Sequence, residues 1–452
     1  MTLEEYIAHL NGVAFWKEFT FAQNNFTPRP GAEFELADNL VWLGTYAIAM
    51  QLKERSEETE NPEAERSWFQ RKVIGQATSQ IRDTLRFLQE HKQICITNER
   101  GHSFYIRGAE LADITKVVVF LAGRALPEDC WRTRYHVSRT AGFIHVLAAH
   151  DYLGILEKLR VPEDIRRYFA YREEVTPKLG DANGIDESDI MGAFLGEQGL
   201  PDSKSREILR SFVQDMEAFD LSRLLGNLHD HIQRSEQPLD YYRIMLEFAR
   251  VPRSVWREVK VRFLKSLEVV QEKKFTRPFR LAFPPTDCAF MIAPLDPEIP
   301  ATGAEGEKVR ITGLKNLTHA AMYDAKVSKG VGILISKDGD YIQIDWSLLD
   351  VPWKPDPEMD ARLAESNPFR KAEEKKINSF LFMAERSESS QSARMLAITP
   401  DATWPNMWRV KLPNGLLSDM VNLTRARDAA ASLGRALSQS RLERIPPRAS
   451  AA

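Results

Sequence analysis

The stretch YAIAMQLKERS, residues 46–56, begins as an apolar β-type run and ends in Gln51 and Lys53, which stand two residues apart and so on one face of a strand. The run before it, EFELADNLVWL (33–43), alternates apolar and polar residues, and Gly44–Thr45 between the two runs is a tight-turn signal. Together they predict a β-hairpin. On the first strand Phe34, Leu36, Asp38, Leu40 and Trp42 share a face; on the second Ala47, Ala49, Gln51 and Lys53 do. Asp38 is then the charged residue in an apolar row. A charge on an inward face is costly unless it is paired or bound to a metal.

One arrangement accounts for it. The Asp38 carboxylate, the Gln51 amide oxygen and the peptide carbonyl between Gln51 and Lys53 make an all-oxygen set of the kind Mg²⁺ takes. Lys53 beside them would stabilise charge on a phosphate or position an attacking water. Those are the parts that phosphodiester hydrolysis needs.

Working outward, EFTFAQNNF (18–26) predicts a strand ahead of the hairpin, closed by the turn signal TPRPG, so that three strands form a meander. Residues 2–11 predict a short helix with Thr2 as N-cap and Glu5 three residues later. After the charged loop SEETENPEAE, Phe69, Val73, Ala77, Ile81 and Leu88 recur at helical spacing and predict a helix over 64–90. QICITNERGHSFYI (93–106) predicts a second hairpin and KVVVFLA (116–122) a fully buried strand. Residues 141–175 read as a strand followed by helices.

Asp38, followed on the next strand by Gln51-Leu52-Lys53, resembles the D…(D/E)XK motif of the PD-(D/E)XK nuclease superfamily, which includes many restriction endonucleases and RecB-type nucleases. The order helix, three strands, long helix, strand is similar to that of the superfamily. Gln76 and Gln80, four apart and on one face with Lys72, resemble the glutamine-bearing helix that follows the third strand in several of its families. The resemblance covers roughly residues 1–125 and extends at most to 175. It implies an α/β, restriction-endonuclease-like mixed sheet flanked by helices. It also implies Mg²⁺- or Mn²⁺-dependent cleavage, with Asp38 and Gln51 as metal ligands, Lys53 as charge stabiliser, and Gln76 and Gln80 as positioning residues. DNA is the implied substrate, and genome defence or repair the implied role. Gln51 stands where the motif has an acid, which removes a negative ligand. An upstream glutamate often completes such sites. Glu5, Glu18 and Glu35 are candidates; strand parity places Glu35 off the Asp38 face, and Glu18 is preferred as a metal ligand.

The cluster CWRTRYHVSR (130–139) interleaves Arg132 and Arg134 with Trp131 and Tyr135, a composition able to track a phosphate backbone, as Lys72 also is; a solvated turn is the simpler reading. HDH (229–231) has i,i+2 spacing, which does not converge on a helix, so it reads as a solvated face, and Cys130 lacks an activating base in sequence, so it reads as a buried or inert thiol. His145 and His150 each read as a packed or surface histidine. The lone cysteines Cys95, Cys130 and Cys288 give no zinc or disulfide framework.

The chain has 452 residues, enough for several domains, and 61 basic against 64 acidic residues, a balance that neither demands nor excludes nucleic acid. No apolar run approaches the roughly 20 residues of a membrane helix, and the acidic, amphipathic N-terminus is not a secretory signal. No membrane partner and a reducing cytoplasm are therefore expected. The expected domains are 1–178 nuclease-like, 179–278 mainly helical, 279–425 a smaller α+β domain whose clearest piece is a hairpin turning at Asp338–Gly339, and 426–452 a helical end and disordered tail. Residues 203–452 are expected to dock a protein partner or a second copy of the chain.

Overall fold

The computed structural model describes residues 1–22, 24–29, 31–57, 59–180, 184–202, 204–214, 216–226, 228–234, 239–299, 302–369 and 407–413. The expected helical end and tail at 426–452 lie outside them. The chain divides into two compact units, the first built on Met1–Gln214 and the second on Asp215–Leu423.

The first unit runs α1 (Leu3–Ala14), β1 (Thr20–Ala22), β2 (Asn25–Arg29), β3 (Ala32–Glu35), β4 (Asn39–Leu43), β5 (Tyr46–Glu54), α2 (Pro62–Trp68), α3 (Ala77–Glu90), β6 (Ile94–Thr97), β7 (Ser103–Ile106), β8 (Asp113–Leu121), α4 (Glu128–Trp131), β9 (Tyr135–Ser138), β10 (Gly142–Ala148), α5 (Ala149–Leu159), α6 (Pro162–Leu179), α7 (Glu187–Leu195) and α8 (Ser205–Gln214). Its mixed six-stranded sheet has the order β1-β4-β5-β8-β10-β9. β1, β4 and β5 form the antiparallel meander; β8 lies parallel to β5, and β10 parallel to β8. The hairpin turn needs Gly44, whose φ of 65° is a conformation open to glycine at little cost.

The helix predicted over 64–90 is continuous from Pro62 to Glu90, with Phe69–Gln76 wound as a π-helix between α2 and α3. Its stripe is buried as expected: Phe69, Val73, Ala77 and Ile81 pack on Val118 and Phe120 of β8 and on Ile144 and Val146 of β10. Further along, Phe87 and Leu88 meet Ala47 and Ala49 of β5. The opposite face of β5 meets α1, where Asn11 Nδ2 donates to Met50 Sδ (3.4 Å) and to Asn39 Oδ1 (2.8 Å), and Tyr152 of α5 donates to Asn11 Oδ1 (2.6 Å).

Two predicted strands break. Residues 18–26 give a 3₁₀ turn at Lys17–Phe19, the short β1, and then β2, which leaves the main sheet to pair with β3. Residues 33–43 split into β3 and β4 around a bend at 36–38. Local polar bonds replace the ladder there: Leu36 N donates to Asn24 O (2.9 Å), and the buried Asn24 side chain donates to Phe21 O (2.7 Å) and Ala37 O (3.4 Å). An Asn side chain that bonds nearby backbone competes with regular structure, a cost that alternation does not register.

The second unit runs α9 (Met216–Phe219), α10 (Ser222–Gly226), α11 (Leu228–His231), β11 (Ile232–Arg234), α12 (Tyr241–Ala249), α13 (Arg253–Gln271), β12 (Phe279–Phe283), β13 (Cys288–Pro294), α14 (Gly303–Ala325), β14 (Lys329–Asp338), β15 (Tyr341–Asp350), α15 (Pro357–Glu365) and β16 (Met407–Pro413), around a sheet of order β11-β16-β15-β14-β13-β12. The stretch 179–278, expected to be mainly helical, is divided: α7 and α8 belong to the first unit, while the part from Asp215 onward belongs to the second, where Phe248 of α12 packs on Phe290 and Trp346 of the sheet. The predicted hairpin forms, but its turn is Gly339–Asp340, since Asp338 still pairs with Tyr341. Gly332 lets α14 approach: a Cβ there would stand 2.0 Å from Thr318 Oγ1 and 2.5 Å from Ser347 Oγ. Among the described residues, no helix is long and apolar enough to cross a membrane.

Candidate active site

β4 begins at Asn39, which pairs with Met50. Beyond that pair β5 continues without a main-chain neighbour from β4, and the Asp38 side chain takes its place. Asp38 Oδ2 accepts the Leu52 backbone N–H at 2.6 Å and the Lys53 ammonium at 3.2 Å. Lys53 Nζ also donates to Leu52 O (2.9 Å) and approaches Gln51 Oε1 (3.5 Å). The ammonium therefore sits among three oxygens: a carboxylate, an amide and a peptide carbonyl. Lys53 and Asp38 side chains are 11% and 7% exposed, and Gln51 is buried. The sequence expectation that Asp38, Gln51 and Lys53 share one place is met in this arrangement.

The surrounding elements hold the triad. Thr84 of α3 donates through its hydroxyl to Leu36 O, tying the helix to the bend that carries Asp38, and to Gln80 O at 3.1 Å. On the other face, the Asn11–Asn39–Tyr152 bonds fix the residue next to Asp38. Glu54 Oε2, at the end of β5, accepts Leu3 N at 2.9 Å, which brings the first turn of α1 to this end of the sheet. Gln80 is half-buried one turn before Thr84, whereas Gln76 and Lys72 lie earlier, exposed, on the π-helical segment.

Glu18 is not at the site. Its buried carboxylate pairs with Arg100 Nε at 2.8 Å, and its carbonyl accepts from Asn98 Nδ2 at 2.8 Å. Thr20 pairs with Val41, so Glu18 lies toward the hairpin turn, while Asp38 sits past the other end of β4. Glu35, set aside by strand parity, is electrostatically close instead. Parity holds only within one strand, and the bend at 36–38 resets it. The Glu35 carboxyl is raised above the usual range, by burial first and then by the negative charges of Asp38 and Glu4, with Lys53 opposing. Glu4 had no sequence signal beyond its place in the first turn of α1.

Arg132 and Arg134 are tied into the fold rather than to Asp38. Arg132 pairs with Glu128 at 2.6 Å on the surface, and Arg134 donates to Ile185 O. The Arg134 carbonyl accepts from Arg172 (2.9 Å), the centre of a buried network. Arg172 forms a two-pronged pair with Glu187 (2.8 and 3.1 Å) and meets His145 Nδ1 at 3.1 Å. Because arginine offers only donors, Nδ1 must accept, and the imidazole is neutral. Burial, then the Arg172 and Lys116 charges, hold its pKa well below the usual value. Burial also raises the Cys130 thiol, with Asp129 adding, which leaves it poorly suited as a nucleophile. His229 meets Tyr241 OH at 3.1 Å. His145 is thus a packed histidine and Cys130 a buried thiol, as read from the sequence, and His229 and Asp230 are exposed, in line with the solvated face expected there.

Among the described residues no group of three or more His, Cys, Asp or Glu stands ready to hold a metal. Gln51 is one reason: the donors gathered at Lys53 are a single carboxylate, an amide and a peptide oxygen. Such a set suits a hard cation such as Mg²⁺ or Mn²⁺ by chemistry, and the ammonium among them shows that the three oxygens can serve one positive charge. No family model, curated protein or solved structure matches the chain.

Proposed function

We propose that the first unit is a metal-dependent nuclease with a restriction-endonuclease-like fold, hydrolysing phosphodiester bonds, with DNA as the favoured substrate. The observation that carries this reading is the convergence of Asp38, Gln51 and Lys53 at the open end of β5. Supporting it is the order α1, an antiparallel meander of β1, β4 and β5, a crossover helix, and the parallel strand β8. Asp38, Gln51 and the Leu52 carbonyl would hold Mg²⁺ or Mn²⁺, which supplies Lewis acidity at the scissile phosphate and a more acidic attacking water. Asp38 fixes the position of its carboxylate through the Leu52 N–H. Lys53 carries its charge to a phosphate oxygen and stabilises what develops there. Gln80, half-buried one turn before Thr84, would serve as a positioning residue.

The charge balance favours a second reading. Asp38 and Lys53 neutralise each other, and Gln51 adds no charge, which suits a fold that binds nucleic acid or protein without turnover. One experiment separates the two. Full-length protein, free of host nucleases, is incubated with supercoiled plasmid or labelled single strands in Mg²⁺, Mn²⁺ or EDTA, beside Asp38→Asn and Lys53→Ala. Metal-dependent products that vanish in both variants support the nuclease. Metal-dependent cleavage that survives in either variant sinks this site, and binding without products from the wild type favours the second reading.

A further inference from the structure

We propose that Lys53 excludes the metal from the site at rest, and that a nucleic-acid phosphate admits it by drawing the ammonium out of the oxygen triad. The inference rests on the nuclease reading and adds how the site is loaded. Lys53 Nζ lies 3.2 Å from Asp38 Oδ2, 3.5 Å from Gln51 Oε1 and 2.9 Å from Leu52 O. These are the oxygens a metal would need. An ammonium has three N–H donors, and here three acceptors surround it, so it has no unmet demand that would move it. A divalent cation cannot share the position: it would compete for the same lone pairs and repel the ammonium.

Charge counting points the same way. Within the triad the one negative charge of Asp38 is balanced by Lys53. An acid at position 51 would leave one negative charge over; Gln51 leaves none. Attraction for a cation then falls to Glu35, close enough for the charges of Asp38, Glu4 and Lys53 to act on it. A phosphodiester changes this balance. It offers the ammonium a charged acceptor, and lysine's flexible four-carbon stem allows the head to swing toward it. Asp38, Gln51 and the Leu52 carbonyl are then released together to the metal. Metal and nucleic acid must bind with positive coupling, and by linkage each raises the affinity for the other by the same factor.

The test uses full-length protein and the electron paramagnetic resonance signal of free Mn²⁺, with and without a short phosphorothioate DNA duplex that resists cleavage. The wild type is expected to bind Mn²⁺ weakly alone and at least about 10-fold more tightly with duplex, a coupling in the ordinary range. Lys53→Met and Lys53→Gln are expected to bind Mn²⁺ about 10-fold more tightly than wild type without duplex, and to gain less from it. Asp38→Asn should abolish the binding and so locate the ion. Equal Mn²⁺ affinity in wild type and both Lys53 variants, or no effect of duplex on the wild type, overturns the exclusion by Lys53 while leaving the nuclease reading in place. Absence of Mn²⁺ binding in every protein, with and without duplex, overturns the nuclease reading itself.

Discussion

Replacing Asp38 separates its two duties, because the structure gives it a structural bond as well as a chemical one. Its Oδ2 accepts the Leu52 N–H at 2.6 Å where β4 no longer supplies a carbonyl, and it is the counter-charge of Lys53 at 3.2 Å. Asp38→Ala leaves the Leu52 amide buried without that acceptor. A hydrogen bond to a charged group is worth about 1.5–3 kcal/mol, and the ion pair, nearly buried but already partly offset by desolvation, adds about 1 kcal/mol. The expected loss is about 2–4 kcal/mol. At about 2–4 °C per kcal/mol for a unit of this size, Tm falls by about 5–15 °C. Asp38→Asn keeps an acceptor oxygen for Leu52 and loses only the charge, so its expected loss is about 1 kcal/mol. Urea denaturation of the full chain gives the global values, and amide hydrogen exchange at Leu52 gives the local one, with fast exchange in Asp38→Ala and near-native protection in Asp38→Asn. Cleavage should fall by about 10²-fold or more in both variants. If the two variants differ by less than about 0.5 kcal/mol and Leu52 is equally protected in both, the side chain does not stand in for the missing strand and the reasoning is wrong.

Three other outcomes follow from the structure. Glu35 has a raised folded pKa, so as a carboxylate it lowers stability once pH rises above its unfolded value near 4.5; Glu35→Gln should be more stable than wild type at pH 7 in urea denaturation, with the difference vanishing in acid below that value. His145 has a depressed folded pKa, so its contribution is full above 6.5 and is lost as pH falls below it; the wild type should lose up to about 1.4 kcal/mol per pH unit there, and His145→Asn, which keeps an acceptor for Arg172, should show a flatter profile in the same melts. Gly332→Ala places a methyl 2.0 Å from Thr318 Oγ1 and 2.5 Å from Ser347 Oγ; it should cost about 1–3 kcal/mol by overpacking, and Gly332→Ala/Thr318→Ala should recover only part of that loss, because Ser347 still stands in the way.

Sequence alone determined the hairpin of β4 and β5, the long helix, and the placing of Asp38, Gln51 and Lys53 near one end of that hairpin. Those features are local: alternation fixes the face of a strand, a two-residue turn fixes the register of a hairpin, and helical spacing fixes the buried stripe. Where sequence reasoning failed, the deciding partner lay far along the chain or in a polar bond that hydrophobic pattern does not record. Asn24 and Thr84 capture the backbone around Leu36 and break the strand that alternation predicts, and that break is what brings Glu35 near Asp38. Register between β1 and β4 carries Glu18 away to Arg100. The position of the Lys53 ammonium among its three oxygens belongs wholly to the tertiary structure, since it depends on where β4 stops beside β5. The sequence supplied the donors and the cation; only the fold decided that, at rest, they satisfy one another.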